Sequence, residues 1–102
     1  MIIYNVTVSI EEDFTNDWLH WMKTEHIPEV MDCGVFTKAQ INRVIADGDS
    51  NNTFAIAYSC CSMKDLHRYQ TKFSANLQKK HIARYGDKVV AFRTVMDVLE
   101  EF

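Results

Sequence analysis

The sequence predicts an α+β domain whose elements follow the order β-α-β-β-α-β. Four stretches alternate apolar and polar residues with a period of two, and two others carry apolar residues at helical spacing. In chain order, the predicted elements are strand 2–10, helix 14–26, strand 35–46, strand 53–61, helix 63–85 and strand 88–99. This order is the split βαβ arrangement of ferredoxin-like folds, a four-stranded antiparallel sheet with the helices on one face.

Length and composition fit a single domain of residues 1–102. The chain has 47% apolar and 25% charged residues, which is ordinary globular composition. Its net charge of −3 argues against a general nucleic-acid binder, which is usually basic. The first ten residues alternate in hydropathy instead of resembling a signal peptide or membrane span, and three cysteines do not make a disulfide framework. We therefore expect a cytoplasmic protein with no membrane partner.

Local signals mark the ends of the predicted elements. Ser62 and Asp65 resemble a capping box before the second helix, and Ser74 is a candidate cap for a second segment within that helix. Gly86 is placed to end the helix. The polar stretch GDSNN, residues 48–52, suits a hairpin between the second and third strands.

Every predicted strand has hydrophobic groups on both sides. One face of the sheet would pack against the helices, and the other is too apolar in sequence to be left in water. A second copy of the sheet is the simplest cover. The pattern therefore predicts a homodimer formed by sheet-to-sheet packing.

The stretch WMKTEHIPEVMDCGVF, residues 21–36, combines a histidine, acids and a proline. If the first helix continued through it, Glu25 would fall within the apolar stripe, where an unpaired carboxylate is costly. Pro28 also favours a break, so we expect the helix to bend or stop near His26, followed by a short helical turn that Gly34 ends. A helix C-terminus favours a protonated histidine, so we interpret His26 as a helix cap with a raised pKa. A ligand-binding or catalytic role is the alternative.

Several polar residues lie on otherwise apolar strands and helices and are therefore candidates for a ligand pocket. They are Asn5, His26, Arg43, His81, Tyr85 and Arg93. Arg43 and Arg93 could hold an anion bidentately, or could pair with acidic residues across a dimer interface. Basic residues concentrate in the second half of the chain and acidic ones in the first, which indicates self-complementarity, an anionic ligand or a solvated helix face. Catalytic residues stay unassigned.

Other chemical signatures are weak. His26, Asp32 and Cys33 are close in sequence but give a poor zinc pattern, so no metal is expected. The cysteines are interpreted as small buried hydrophobic residues. Tyr4 and Tyr58 on central strands could stack on RNA bases, but the third strand lacks the basic-Gly-aromatic start of an RNA-recognition motif. We expect no nucleic-acid partner.

Three segments carry a resemblance to a known family: MIIYNVTV, WLHWMKTEHIPEVMDCGVF and HRYQTKFSANLQKKHIARYGDKVVAFRT. In this order they resemble an uncharacterised bacterial family, a domain of unknown function placed with the dimeric α/β-barrel proteins. The resemblance runs nearly end to end. It implies the fold and dimerisation, and the family brings no established catalytic residues.

The wider superfamily includes cofactor-free monooxygenases, haem-degrading enzymes and chlorite-dismutase-like haem proteins. Haem-degrading members are similar in an asparagine on the first strand, compare Asn5, and a histidine late in the second helix, compare His81. They also use a tryptophan in that region, whereas Trp18 and Trp21 lie in the first helix here. We therefore favour a cofactor-free module that binds a small anionic or apolar ligand or acts in regulation, rather than an enzyme. The alternative is a monooxygenase-like or haem-binding oxidoreductase.

Overall fold

The computed structural model describes residues 1–46 and 52–102, which form a four-stranded antiparallel sheet with helices packed on one face. The strands are β1 (Ile2–Ile10), β2 (Lys38–Arg43), β3 (Thr53–Cys60) and β4 (Val89–Asp97). Their order across the sheet is β2-β3-β1-β4, and neighbouring strands are antiparallel. The predicted fold class is confirmed. β2 is shorter than expected, and the predicted hairpin loop lies mostly outside the described residues.

The first helical stretch does not stop near His26, so that part of the expectation is wrong, but the type of helix changes there and a short segment ended by Gly34 follows as predicted. It consists of a 3₁₀ turn (Glu12–Phe14), α1 (Thr15–Trp21), a π-helical turn (Met22–His26) and α2 (Ile27–Asp32). At the end of the π turn, the backbone N–H of Ile27 bonds to the carbonyl of Met22, five residues earlier. The wider turn leaves Glu25 exposed and His26 buried, so the helix continues through Pro28 without placing a carboxylate in the core.

The second helical stretch is divided into α3 (Met63–Lys72) and α4 (Ser74–Tyr85). Ser62 caps α3 as predicted, because its hydroxyl oxygen accepts a hydrogen bond from the backbone N–H of Asp65 at 3.3 Å. Ser74 is the first residue of α4 and not its cap. Gly86 follows α4 at φ +55° and Gly34 follows α2 at φ +79°, and residues with side chains rarely adopt such values. Both glycines end their helices as the sequence predicts.

The core lies between the sheet and the helices. Its largest fully buried side chains are Trp18, Phe54, Ile10, Ile56, Leu66, Val8, Val30 and Cys60. Burying an aliphatic or aromatic side chain of this size contributes roughly 1.5–3 kcal/mol. Tyr4 and Tyr58 are cross-strand partners on the same inner face and are 4% and 3% exposed. Their rings are therefore not presented to solvent for stacking on bases.

The outer face of the sheet is less apolar than the sequence suggested. At its centre, Asn5 of β1 pairs with Ala57 of β3, and both side chains are small or polar. Large exposed apolar side chains concentrate on β4 instead, where Val90, Phe92 and Met96 are 72%, 62% and 43% exposed. We call these three residues the β4 strip. The apolar part of the outer face thus follows one edge strand.

The uneven charge distribution is satisfied partly within the chain. Acidic residues of the first half and basic residues of the second half form the ion pairs Glu11–Lys88, Asp17–Arg84 and Glu29–Lys80. Their spacing shows that the first helical stretch runs antiparallel to α4. All three pairs are largely exposed, so each contributes only about 0–1 kcal/mol.

The structure also bears on the predictions about membrane spans and about the three cysteines. Among the described residues, no helix has both the length and the apolar character needed to cross a membrane. The three cysteines are free thiols. Cys60 is buried and Cys33 half-buried, but Cys61 is exposed, so the interpretation of all three as buried is wrong for Cys61.

Candidate functional site

Aromatic rings from α1, the π turn and α4 meet in one place. We call Trp18, Trp21, His26, His81 and Tyr85 the ring cluster. The Trp21 ring stacks on His26 with centroids 4.7 Å apart, and on His81 at 5.6 Å. The two histidine rings are 5.6 Å from each other, so the three rings form a triangle. The π turn makes this possible, because residues five apart lie above one another in a π-helix.

A hydrogen bond from Trp18 determines which ring nitrogen of neutral His81 carries the proton. The indole Nε1–H of Trp18 donates a hydrogen bond of 2.9 Å to Nε2 of His81. An indole nitrogen only donates, so Nε2 of His81 carries a lone pair and the neutral ring holds its proton on Nδ1. Burial, and then the positive charge of Arg93, lower the pKa of His81. His81 is therefore neutral at ordinary pH.

His26 is also neutral, which contradicts the expected cap. Burial lowers its pKa from 6.5 to about 4, and the proximity of His81 acts in the same direction. The pKa of His26 is therefore shifted down, whereas a helix end would shift it up. The reason is that the helix continues past His26 and offers it no free carbonyls. Within the described part of the chain, its Nδ1 is the buried side-chain polar atom that has no hydrogen-bond partner. Such an atom is costly unless a small molecule satisfies it.

An enclosed cavity of about 40 Å³ lies between the helices and the sheet. His26 and His81 line it from the helical side, and apolar side chains of β1 and β3 line it from below. Tyr4, Tyr58 and Tyr69 complete its wall. Burial raises the pKa of Tyr58 and of Tyr69, so both hydroxyls stay protonated at neutral pH.

The cavity is continued toward solvent by a groove of about 170 Å³ between α4 and β4. Gln78, His81 and Arg93 line both spaces, and we call these three residues the mouth. The side-chain N–H of Gln78 donates to the Ser74 hydroxyl at 3.1 Å, which leaves its carbonyl oxygen as an acceptor. Arg93 forms no ion pair with any acidic residue that the structure describes. A guanidinium without an ion-pair partner in the described part of the chain thus lies beside a neutral imidazole, where the cavity and the groove meet.

The structure brings four of the six predicted site residues together. His26, His81 and Arg93 line the cavity. Tyr85 lies behind them, with its ring edge against Trp21 and His81, and its hydroxyl donates to Asp17 at 2.8 Å. Tyr85 therefore supports the ring cluster without lining the cavity.

The remaining two predicted residues lie elsewhere. Asn5 is on the outer face of the sheet, where its amide donates to the Thr7 hydroxyl at 3.1 Å. Arg43 is on the opposite edge strand, with its guanidinium 5.4 Å from the centre of the Phe54 ring. Period-two alternation places Asn5 on the other side of β1. The sheet order places Arg43 three strands away from Arg93 and the mouth.

The residues compared with haem-degrading proteins do not fit a haem. Asn5 and His81 lie on opposite sides of the sheet, and Nε2 of His81 is already bonded to Trp18. His26, Asp32 and Cys33 do not converge either: the described residues contain no group of three or more His, Cys, Asp or Glu side chains that could hold a metal ion.

Trp18, Trp21 and Gln78 belong to the site but are not among the sequence candidates. Helical periodicity places both tryptophans in the core, and both are buried. It does not predict that they contact His81. Gln78 had a usable signal, because Gln78, His81 and Tyr85 follow one another at spacings of three and four on one helix face.

The fold places the chain among ferredoxin-like α+β proteins. Residues 1–99 match the family described as Domain of unknown function (DUF4286), and the chain belongs to this family. No curated protein matches the chain.

Solved structures of similar fold cover nearly the whole chain at low identity. An ethyl tert-butyl ether d (ethd) family protein from Bacillus halodurans has a TM-score of 0.73 at 9% identity, covering 97% of this chain and 100% of its own. A dimeric ferredoxin-like protein from an uncultured marine organism has 0.70 at 11%, covering 99% and 98%. SnoaB, a cofactor-independent oxygenase from Streptomyces nogalater, has 0.70 at 5%, covering 98% and 94%. At these identities the similarity concerns the fold.

Proposed function

We propose that the chain binds a small anionic molecule with an apolar body at the mouth between α4 and β4, without a cofactor. One observation carries the proposal: the unpaired guanidinium of Arg93 lies beside neutral His81, where the cavity and the groove share their lining. Arg93 is exposed and has no ion-pair partner among the described residues, so its guanidinium is available to make charge-assisted hydrogen bonds to an oxyanion ligand.

The size of the space supports a ligand with one ring. The groove offers about 170 Å³ and the cavity behind it about 40 Å³. An apolar cavity of about 150 Å³ is sufficient for benzene. An aromatic or aliphatic carboxylate of this size can place its charged end at Arg93 and its body among Ile82, Val89 and Ala91.

Benzoate is a suitable probe of this proposal. We expect Arg93→Gln to weaken benzoate binding by about tenfold or more, because a hydrogen bond to a charged group contributes about 1.5–3 kcal/mol. Arg43→Gln is the matched control, since it removes the same charge from the other edge strand and should leave affinity unchanged. Calorimetric titration of the three proteins decides the matter. Equal losses in both variants, or none in either, would contradict the proposal.

We also propose that the protein is a homodimer in which the outer sheet faces pack together along the β4 strip. β4 is a nine-residue edge strand whose exposed apolar side chains are costly to leave in water. The dimeric description of one structural neighbour supports this assembly. Free thiols are consistent with the cytoplasm, which we propose as its location.

A second candidate function is a cofactor-independent oxygenase, as one structural neighbour is described. The observation in its favour is His26, a buried neutral histidine with an unpartnered Nδ1 in the cavity wall. Oxygen consumption with a quinol substrate tests this candidate. Turnover that is lost in His26→Phe would favour the oxygenase, and no turnover would leave the binding function.

A further inference from the structure

The hydrogen bond from Trp18 determines which His81 nitrogen can meet a ligand. Trp18 is fully buried, and its Nε1–H points at Nε2 of His81 from 2.9 Å. If Nε2 of His81 carried a proton, its N–H would face the N–H of Trp18, and two donors cannot form a hydrogen bond with each other. Trp18 therefore holds the proton on Nδ1 and also opposes formation of the imidazolium.

The surroundings keep the His81 ring in place. Trp21 stacks on it with an interplanar angle of 13°, and Tyr85 meets it edge-on at 5.8 Å. Since Nε2 is occupied, Nδ1–H is the polar group of this ring that remains for a ligand. His81 and Arg93 both line the cavity and the groove, so a ligand there lies beside both side chains.

We propose that Trp18 is a positioning residue that holds His81 as a hydrogen-bond donor, so that the mouth selects ligands in their deprotonated form. This inference rests on the proposed function and names the ligand class: a carboxylate or phenolate oxygen that accepts from His81 Nδ1–H and from Arg93. His81 does not serve as a proton acceptor while the bond to Trp18 is intact. Within the ring cluster, that role falls to His26.

The groups around His81 imply that binding does not change with pH near neutrality. Arg93 faces it from β4, His26 from the π turn, and Tyr85 from its own helix. None of these three residues is a carboxylate that would favour the imidazolium. Because the pKa of His81 is lowered from 6.5, benzoate affinity of the wild-type protein is expected to stay flat as the pH falls from about 8 to 6.5.

The tautomer is measured directly by ¹⁵N NMR of the histidine ring nitrogens in the unliganded protein. We expect a protonated Nδ1 and an unprotonated Nε2 for His81. Trp18→Phe should convert this single tautomer into a mixture, whereas Trp21→Phe, which replaces the stacked indole by a phenyl ring and keeps the hydrogen bond from Trp18, should leave it unchanged. A protonated Nε2 in the wild-type protein would overturn the inference, and this result needs no variant that must fold.

The pH profile of benzoate affinity is the second readout. In Trp18→Phe the freed His81 can become an imidazolium, so affinity should rise as the pH falls, by about tenfold at most. A variant affinity that begins to rise at no higher pH than the wild-type affinity would overturn the inference. Absence of benzoate binding to the wild-type protein would overturn the proposed function instead, and the tautomer would still decide whether Trp18 positions His81.

Discussion

The two edges of the sheet each present an arginine toward the helical side, and the two arginines have different surroundings. On β2, Arg43 is paired in register with Phe54 and lies over its ring. On β4, Arg93 is paired with Val6 and lies beside His81 at the mouth. The strand supplies the same residue type at both edges. The difference comes from the helix above it, since α4 places the hydrogen-bonding ring of His81 next to Arg93 and the cavity.

The outer faces of the two edge strands differ as well. β2 has six residues and presents polar side chains such as Gln40 and Asn42, whose amides bond to each other at 3.0 Å. β4 has nine residues and carries the β4 strip. One edge is therefore protected against pairing with another chain, and the other has the composition of an interface.

Assembly is where this contrast should have its largest effect. We expect Phe92→Asp to weaken the dimer by about a hundredfold or more, because burying an unpaired carboxylate costs roughly 3 kcal/mol or more. Gln40→Asp places the same charge on the outer face of β2 and should change dimerisation little. Sedimentation velocity at several concentrations measures both. A wild-type monomer at micromolar concentration would contradict the proposed assembly.

The dependence of stability on acid pH should show the next largest effect, and it comes from the buried His26. His26 has a pKa of about 4 in the folded chain against 6.5 ordinarily, as a result of burial, His81 and Lys80, with Glu29 opposing them. Between these values the unfolded chain binds a proton that the folded chain excludes. The stability contributed by neutral His26 is thus complete above about pH 6.5 and is lost as the pH falls toward 4, by on the order of 3 kcal/mol.

His26→Phe should therefore flatten the fall in the free energy of unfolding between about pH 7 and pH 4.5. His20→Phe is the control, because His20 is exposed on α1 and its replacement should leave the slope as in wild type. Urea titrations at several pH values give the result. An unchanged slope in His26→Phe would mean that His26 is not the group that excludes the proton.

The glycines before the two edge strands should show the smallest difference. A Cβ added at Gly34 or Gly86 would meet open space, so the cost of alanine is conformational alone. We expect Gly34→Ala and Gly86→Ala each to lose about 1–2 kcal/mol. Because Gly86 lines the groove, its variant should also alter benzoate affinity, while Gly34→Ala should not. Thermal unfolding measures the loss of stability expected in both variants, and calorimetry measures the change in benzoate affinity expected in Gly86→Ala alone.

Much of the fold could be predicted from sequence because period-two and helical patterns report which face of an element is buried. β1 matches the predicted residues 2–10, and Ser62, Gly34 and Gly86 mark helix ends as local chemistry predicts. His26 was misjudged for a physical reason. A regular α-helix would place the Glu25 side chain on the buried face. The π turn adds one residue to the turn and so rotates Glu25 to the surface and His26 into the core. Neither composition nor residue spacing predicts this turn.

The candidate site was only partly predictable. His26, His81 and Arg93 were found as polar residues on apolar elements, and this is a local property. Which of them meet depends on sheet order and on the crossing of α4 over β4, which are not local. Asn5 and Arg43 carried the same local signal and lie away from the cavity.

In the proposed site, Arg93 and His81, and not Arg43, receive an anionic ligand. The most direct measurement is a titration of ¹⁵N-labelled protein with benzoate, followed by NMR of the arginine Nε–H and histidine ring signals. We predict saturable shifts of the Arg93 and His81 signals at one common affinity, with Arg43 unmoved. Saturable shifts of Arg43 without Arg93, or no shift of His81 at saturation, would contradict the account.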